Sequence, residues 1–414
     1  MEQISKILSH NKQTYYYLIA NLFQKTAFFG VRYLIVADII LSTIAQNVED
    51  TGSLTFTITA MYIICRVFGA LLGDFVLSNK RAGIIGGILQ TIGICFFIFQ
   101  TKWMSYTGIA FFALGAGAFN INLVSMYGKL YLNKITLLDS AFTMFYTSIH
   151  LGAFFGSIVL VAIATMTSLK IAFLIAAVLV LLSTILFLFL ETPNHMPKVV
   201  QQFNEYKSRH IFIGFAIALV TLFWFLYQLA GESLPSLRMK YSADAFFNST
   251  QMSWYSSFSD SFVLIMGLAF SIIWSYFYSK QFNKLSIGFV LTAISFAVIM
   301  LSPDINLESG GFEVVLSLLF MSLGEIFIAP VICSALTKYS DSKYLATSMS
   351  MAKLPLLLLP FASTQFSSKA FLSEETAIKF VTISLFVFGL VSYLIFNSID
   401  INKSKRKFLN EAID

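Results

Sequence analysis

The sequence predicts an all-α integral membrane protein of about twelve transmembrane helices. The 414-residue chain is 57% hydrophobic and only 12% charged, with 44 phenylalanines. Apolar runs of about 20 residues recur along it, and in lipid a helix is the simple element that satisfies its own backbone hydrogen bonds. One polar, proline-containing stretch, ETPNHMPKVVQQFNEYKSR at 191–209, breaks the pattern and divides the spans into six and six.

The first span, 14–43, is too long for a secretory signal peptide and lacks a small-residue cleavage site at its flank, so it belongs to the fold. It carries Lys25 and Arg32 near its middle, and Asp38 close to its far end, where a solvated helix terminus is expected. The second, 54–77, contains Arg66, and the third covers 82–99. The fourth, 104–128, holds Gly115 and Gly117, small residues that let membrane helices approach closely. The fifth, 137–164, carries Tyr146 and His150, and the sixth covers 169–190. In the second half the spans are expected at 210–236, 251–278, 285–302, 311–336, 344–367 and 376–398. These bring Trp224, Tyr227 and Glu232 (seventh), Asp260 (eighth), Glu325 (tenth) and Lys353 (eleventh). The domains are therefore read as a bundle at 1–190, a linker at 191–209 and a bundle with a short basic tail at 210–414.

Lysine and arginine set the orientation. One set of loops and ends holds Lys6, Lys12, Lys80, Arg81, Lys129, Lys134, Lys198, Lys207, Arg209, Lys280, Lys284, Lys338, Lys343 and the basic residues from Lys403 to Lys407. The alternate set holds Lys102, Lys170, Arg238, Lys240 and Lys369, with Lys379 at a span edge. Positive residues collect on the cytoplasmic side, so both termini and the linker are expected there, in a multi-pass protein of the plasma (inner) membrane. The formal net charge of +6 is explained by this bias rather than by nucleic acid. Cys65, Cys95 and Cys333 all fall within spans and make no metal-ligand spacing. No phosphate-binding GxxxxGK[ST], HExxH or GxSxG motif occurs, which leaves no signature of ATP-driven or hydrolytic chemistry. No enzyme activity and no cofactor is expected.

An ionisable side chain at mid-bilayer costs about 2.5–3.5 kcal/mol on the insertion scale, so it normally faces a cavity or a partner. Lys25 and Arg32, seven residues apart, share one helical face. With Arg66, Asp260, Glu325 and Lys353 they describe either a transport pathway or an internal ion-pair network that ties the halves together. Six spans, a linker and six spans is the layout of major facilitator transporters, whose halves enclose a site near the midplane.

Several segments, in order, resemble the proton-coupled oligopeptide transporter (POT/PTR) family of that superfamily. The opening NLFQKTAFFGVR (21–32) lies over the family's E-x-x-E-R-F-x-Y-Y-G motif and its following arginine. GALLGDFVLSNKR (69–81) resembles the loop between the second and third spans. GAGAFNIN (115–122) resembles G-T-G-x-F-K-P-N, FYTSIHLGAFFG (145–156) resembles F-Y-x-x-I-N-L-G, and GEIFIAPV (324–331) resembles G-E-x-x-x-S-P. FWFLYQLAGES (223–233) is similar to the family's seventh span. The resemblance implies a secondary transporter of small peptides or related zwitterions working by alternating access, as a monomer in the lipid bilayer, with a proton gradient as energy source.

By the same resemblance, Arg32 faces a peptide carboxylate and Glu325 its amino group. His150 stands where the family has an asparagine on the peptide backbone, and Tyr146, Trp224 and Tyr227 supply wall. Asn21 and Gln24 replace the motif's two acids, Lys25 its arginine, and Asn120 the lysine those acids pair with. Acid and base have gone together, which avoids a stranded buried charge. Proton coupling or gating then falls to Glu325, Asp260, Glu232 or His150, with Asp260 expected to pair with Lys353 and Arg66 nearby. Asp74, with Lys80 and Arg81, is expected to act as a conformational latch. Two other readings fit the same residues: carriage of a multi-carboxylate such as an organic acid or citrate-type siderophore, and a membrane receptor that binds ligand without moving it.

Overall fold

The computed structural model describes residues 10–41, 48–191, 206–233, 249–301, 311–358 and 374–411. Helices run in the expected order: α1 Lys12–Leu41, α2 Val48–Leu71, α3 Asn79–Phe97, α4 Lys102–Leu130, α5 Ile135–Met166 and α6 Leu169–Leu188. The second half comprises α7 Tyr206–Ser233, α8 Ser249–Tyr276, α9 Gln281–Met300, α10 Gly311–Tyr339, α11 Leu345–Met351 and α12 Glu374–Glu411. Among the described residues, nine segments are long and apolar enough to cross a membrane. The first helix is not one of them, because Asn21, Gln24, Lys25 and Arg32 dilute its apolar surface.

Among the described residues three spans depart from plain α-helix, the second span by running on into a π turn at Leu72–Leu77. α5 passes through a π turn at Gly156–Leu160, where Gly156 lies against the backbone of Thr26 and Gly30 on α1. The eleventh span, expected as one helix over 344–367, instead stops at Met351 and resumes as a 3-10 turn at Leu354–Leu358. Pro355 explains the break. It has no N–H to donate, and its ring disfavours the α conformation at Leu354. The non-helical Ala352–Lys353 segment is thus placed by a proline two residues beyond it.

The bundle buries polar side chains among an apolar core and turns apolar side chains outward. Large apolar side chains such as Phe99, Leu174, Ile265, Ile383 and Leu394 are exposed around the perimeter, as lipid contact permits. Fully or almost fully buried positions include Asn21, Gln24, Gln90, Asn122, Ser125 and Asp139. Packing in the first half depends on small residues. A Cβ on Gly115 would lie 2.1 Å from the backbone N of Gln90 on α3, and one on Gly117 would lie 2.6 Å from that of Arg66 on α2. α4 is therefore wedged backbone-to-backbone between α2 and α3, which fixes where Arg66 and Asn120 meet.

One apolar cluster belongs to the first six helices, with Phe28, Phe97, Phe112 and Phe173 at its centre. The second runs across the halves, from Tyr127, Phe142 and Phe145 to Phe223, Phe289 and Val331. The halves meet chiefly through α5 on α8, α5 on α10 and α2 on α11.

Candidate functional site

Glu325 sits on α10, where α5 and α7 converge on it. The Tyr146 hydroxyl donates to its Oε2 at 3.3 Å and the Tyr227 hydroxyl to its Oε1 at 3.1 Å. One tyrosine comes from each half, so the carboxylate, 8% exposed, is held at the seam between them. His150, one turn along α5 from Tyr146, packs its ring 4.6 Å from the Tyr146 ring. Trp224 lies against Tyr227 at 5.2 Å. The aromatic wall and Glu325 therefore form one group.

A second group collects on the other side of the seam. Lys25, 4% exposed, places its ammonium over the rings of Phe28 and Tyr62, 5.1 and 5.8 Å from their centroids. Arg66, also 4% exposed, donates from Nη1 to Asn120 Oδ1, and Tyr62 OH donates to the same oxygen at 3.1 Å. Tyr62 and Arg66 are one helical turn apart on α2, so a single face delivers both. Lys353 follows the break at the end of α11. Its side chain is exposed, yet its electrostatic neighbours are Arg66, Lys25, Tyr62 and Cys333, so it opens onto the interior between the halves. Three like charges thus gather from α1, α2 and the eleventh span. Arg32 is half-buried further along α1 and hydrogen-bonds to no described side chain.

The amides that stand where the family has charges are used structurally. Asn21 Nδ2 donates to Ser148 Oγ at 2.7 Å, and Gln24 Nε2 donates to Gln90 Oε1 at 3.1 Å. Asn120 holds Arg66 through its carbonyl, while its Nδ2 has no partner among the described residues. Nε of Arg66, Oδ1 of Asn21 and Oε1 of Gln24 are buried and likewise unpartnered among the described residues.

At the end of the bundle that leads into the linker, the halves are fastened together. Asp74 Oδ2 accepts from the backbone N–H of Thr347 at 2.8 Å and from its hydroxyl at 2.9 Å, at the start of α11. Asn79 donates to Asp74 Oδ1 at 2.9 Å, and Phe75 stacks on Tyr344. Lys80 stays within its own half, donating to the carbonyl of Leu190 at 2.8 Å. Asp139 on α5 pairs with Lys284 on α9, both 2% exposed, and also accepts from Gln281 and Ser334. Lys284, expected in a loop, is therefore an interior residue, its ammonium 4.3 Å from the centroid of Trp274. Sequence reasoning missed this pair. The available signal was Asp139 itself, an acid two residues inside an apolar span.

The expected Asp260–Lys353 pair lies outside the described side chains, as do Glu232 and Asp38. Among the described residues no cluster of three or more His, Cys, Asp or Glu side chains could hold a metal ion.

Residues 18–399 match the family model described as Major Facilitator Superfamily. The chain is 26% identical over 222 residues to dipeptide and tripeptide permease A of Pectobacterium carotovorum, covering 51% of this chain and 43% of the permease. It is 29% identical over 178 residues to the permease of the same name from Escherichia coli K12, covering 42% of this chain and 35% of that one. These matches span less than half the length of the curated relatives. Among solved structures, a POT family transporter in complex with a thioalcohol-conjugated peptide superposes with a TM-score of 0.66 at 18% identity, covering 94% of this chain and 96% of the other. Another, in complex with 5-aminolevulinic acid, gives 0.62 at 18% identity over the same shares.

Proposed function

The chain belongs to the major facilitator superfamily, and from that premise we propose that it is a POT/PTR-type member that carries small peptides or related zwitterions across the membrane by alternating access. The observation that carries the reading is the seam of opposite charge. Glu325 is held by tyrosines of both halves on one side, and cations of both halves gather on the other. A zwitterion offers an ammonium to the first and a carboxylate to the second, with Arg32 as the first candidate for the carboxylate. Trp224, Tyr227, Tyr146 and His150 wall the space between.

The residues fall into bundles at 1–190 and 210–414 joined by the 191–209 linker, and rocking of one against the other exposes the site to either side. Lysine and arginine bias supports cytoplasmic termini and a cytoplasmic linker in the plasma membrane, and the protein works as a monomer. The Asp74–Thr347 and Asp139–Lys284 contacts then close the cytoplasmic side. Since Asn21, Gln24 and Asn120 cannot carry a proton, a proton-driven cycle passes through Glu325, Asp260, Glu232 or His150.

Counterflow in proteoliposomes tests the reading. Labelled di-alanine accumulates in vesicles loaded with unlabelled peptide if the protein transports it, and no exchange means that it does not. Glu325→Gln and Asp260→Asn are then compared under an imposed pH gradient. Proton-driven uptake undiminished in both removes them as carriers.

A further inference from the structure

We propose that Lys25, Arg66, Lys353 and Asn120 form an anion-binding subsite separate from Arg32, so that the preferred cargo bears a second negative group, as an acidic dipeptide does. The inference rests on the peptide reading above and specifies the cargo for the same chamber.

The first observation is an imbalance of charge. Lys25 and Lys353 both feel Arg66 as a neighbouring like charge, and among the described residues no carboxylate is an electrostatic neighbour of either lysine. Three cations gathered in a membrane interior thus have no fixed counter-ion among the described residues, the partner that such residues normally have. The second observation is unspent hydrogen-bonding capacity. Lys25 is almost completely buried, its ammonium lies over the faces of Phe28 and Tyr62, and among the described residues it makes no hydrogen bond or ion pair. Nε of Arg66 and Nδ2 of Asn120 are buried donors without a partner among the described residues. Buried donors normally find acceptors. Here the unsatisfied atoms on Arg66 and Asn120 are donors, beside two ammonium groups, so the group that completes them is an anion. Lys353 is exposed, which leaves its ammonium accessible to such a group.

Arg32 does not belong to this set. It lies seven residues beyond Lys25, about 10 Å along the helix axis at 1.5 Å per residue. The long side chains shorten that distance to a span that two carboxylates of one dipeptide can bridge. In this arrangement Arg32 takes the α-carboxylate, Glu325 the ammonium and the cation cluster the side-chain carboxylate.

Ala-Glu and Ala-Gln differ in charge at nearly constant shape and form the decisive pair. Their affinities for the purified full-length protein are measured by calorimetry at low salt, with succinate as a third probe. Charge-assisted hydrogen bonds to a carboxylate lead us to expect Ala-Glu to bind about tenfold more tightly than Ala-Gln. Lys353→Gln should shrink that ratio severalfold, and Lys353→Arg should retain it. Equal affinities for the two peptides in the wild type overturn the subsite and leave the peptide reading standing. Binding of succinate that depends on Lys353, with neither peptide bound, supports the subsite and overturns the peptide reading. Binding of none of the three overturns both.

Discussion

The carboxylate of Asp139 on α5 and the ammonium of Lys284 on α9 meet across the two halves, each 2% exposed. The pair is completed by Gln281 and Ser334, so both carboxylate oxygens have partners. A buried ion pair is costly to break from one side, because the survivor is left charged and unpartnered. Asp139→Asn or Lys284→Met alone should destabilise the closed linker end by about 3–5 kcal/mol. The double replacement should recover much of the loss. Thermal unfolding and the labelling rate of a cysteine placed beside Ser334 read both effects.

Asp74 contributes at the same end by a different route. Its Oδ2 receives the backbone N–H and hydroxyl of Thr347 in the first turn of α11, where the helix dipole also favours an anion. Asp74→Asn should weaken closure by about 1 kcal/mol, in line with partly buried helix-terminus charges. Faster labelling at the linker end, with little change in di-alanine affinity, is the expected signature.

Binding depends instead on Glu325. Replacing it with glutamine removes the charge that meets an ammonium, and di-alanine affinity should fall about tenfold or more. Tyr227→Phe removes one neutral-to-charged hydrogen bond to Oε1 and should cost about 1.5 kcal/mol in the placement of that carboxylate. Titration of both variants against wild type separates the two sizes.

His10 gives the linker end a pH dependence. Its imidazole contacts Tyr131 OH at 2.8 Å, Ser275 Oγ at 3.2 Å and Ser140 Oγ at 3.3 Å, joining α4, α5 and α8. Burial, and then the nearby Lys134, lower its pKa below the ordinary 6.5. The packed state therefore binds the proton less well than an opened state does. The contact is at full strength above pH 6.5 and weakens as pH falls through that value towards the lowered one. A rise in labelling below pH 6.5 that disappears in His10→Gln is the expected result.

The close approach of α4 to α3 makes a sharp test of packing. Gly115→Val places a branched side chain where the Cβ alone would stand 2.1 Å from a backbone nitrogen. Overpacking of this kind costs about 1–3 kcal/mol, and more where backbone must move. The thermal midpoint in detergent should fall, whereas Gly214→Ala, with nothing within 4 Å of its added Cβ, should leave it unchanged.

The sequence by itself determined the membrane class, the order of the spans and the half to which each charge belongs. Those follow from apolar run length and from the cost of putting Lys25, Arg66, Glu325 or Lys353 in lipid, both of which are local properties. It also put Tyr146 and Tyr227 among the expected wall residues, though only through likeness to a family. The tertiary structure alone decided which charges meet. Lys25, Arg66 and Lys353 are far apart in sequence and come together because Gly117 lets α4 sit against α2 and Pro355 breaks the eleventh span after Met351. Lys284, counted among the loop lysines, pairs with Asp139, 145 positions away, only where the two halves close on them. Hydropathy records that a side chain must be shielded from lipid, but the shielding partner is chosen by helix packing, which no single span encodes.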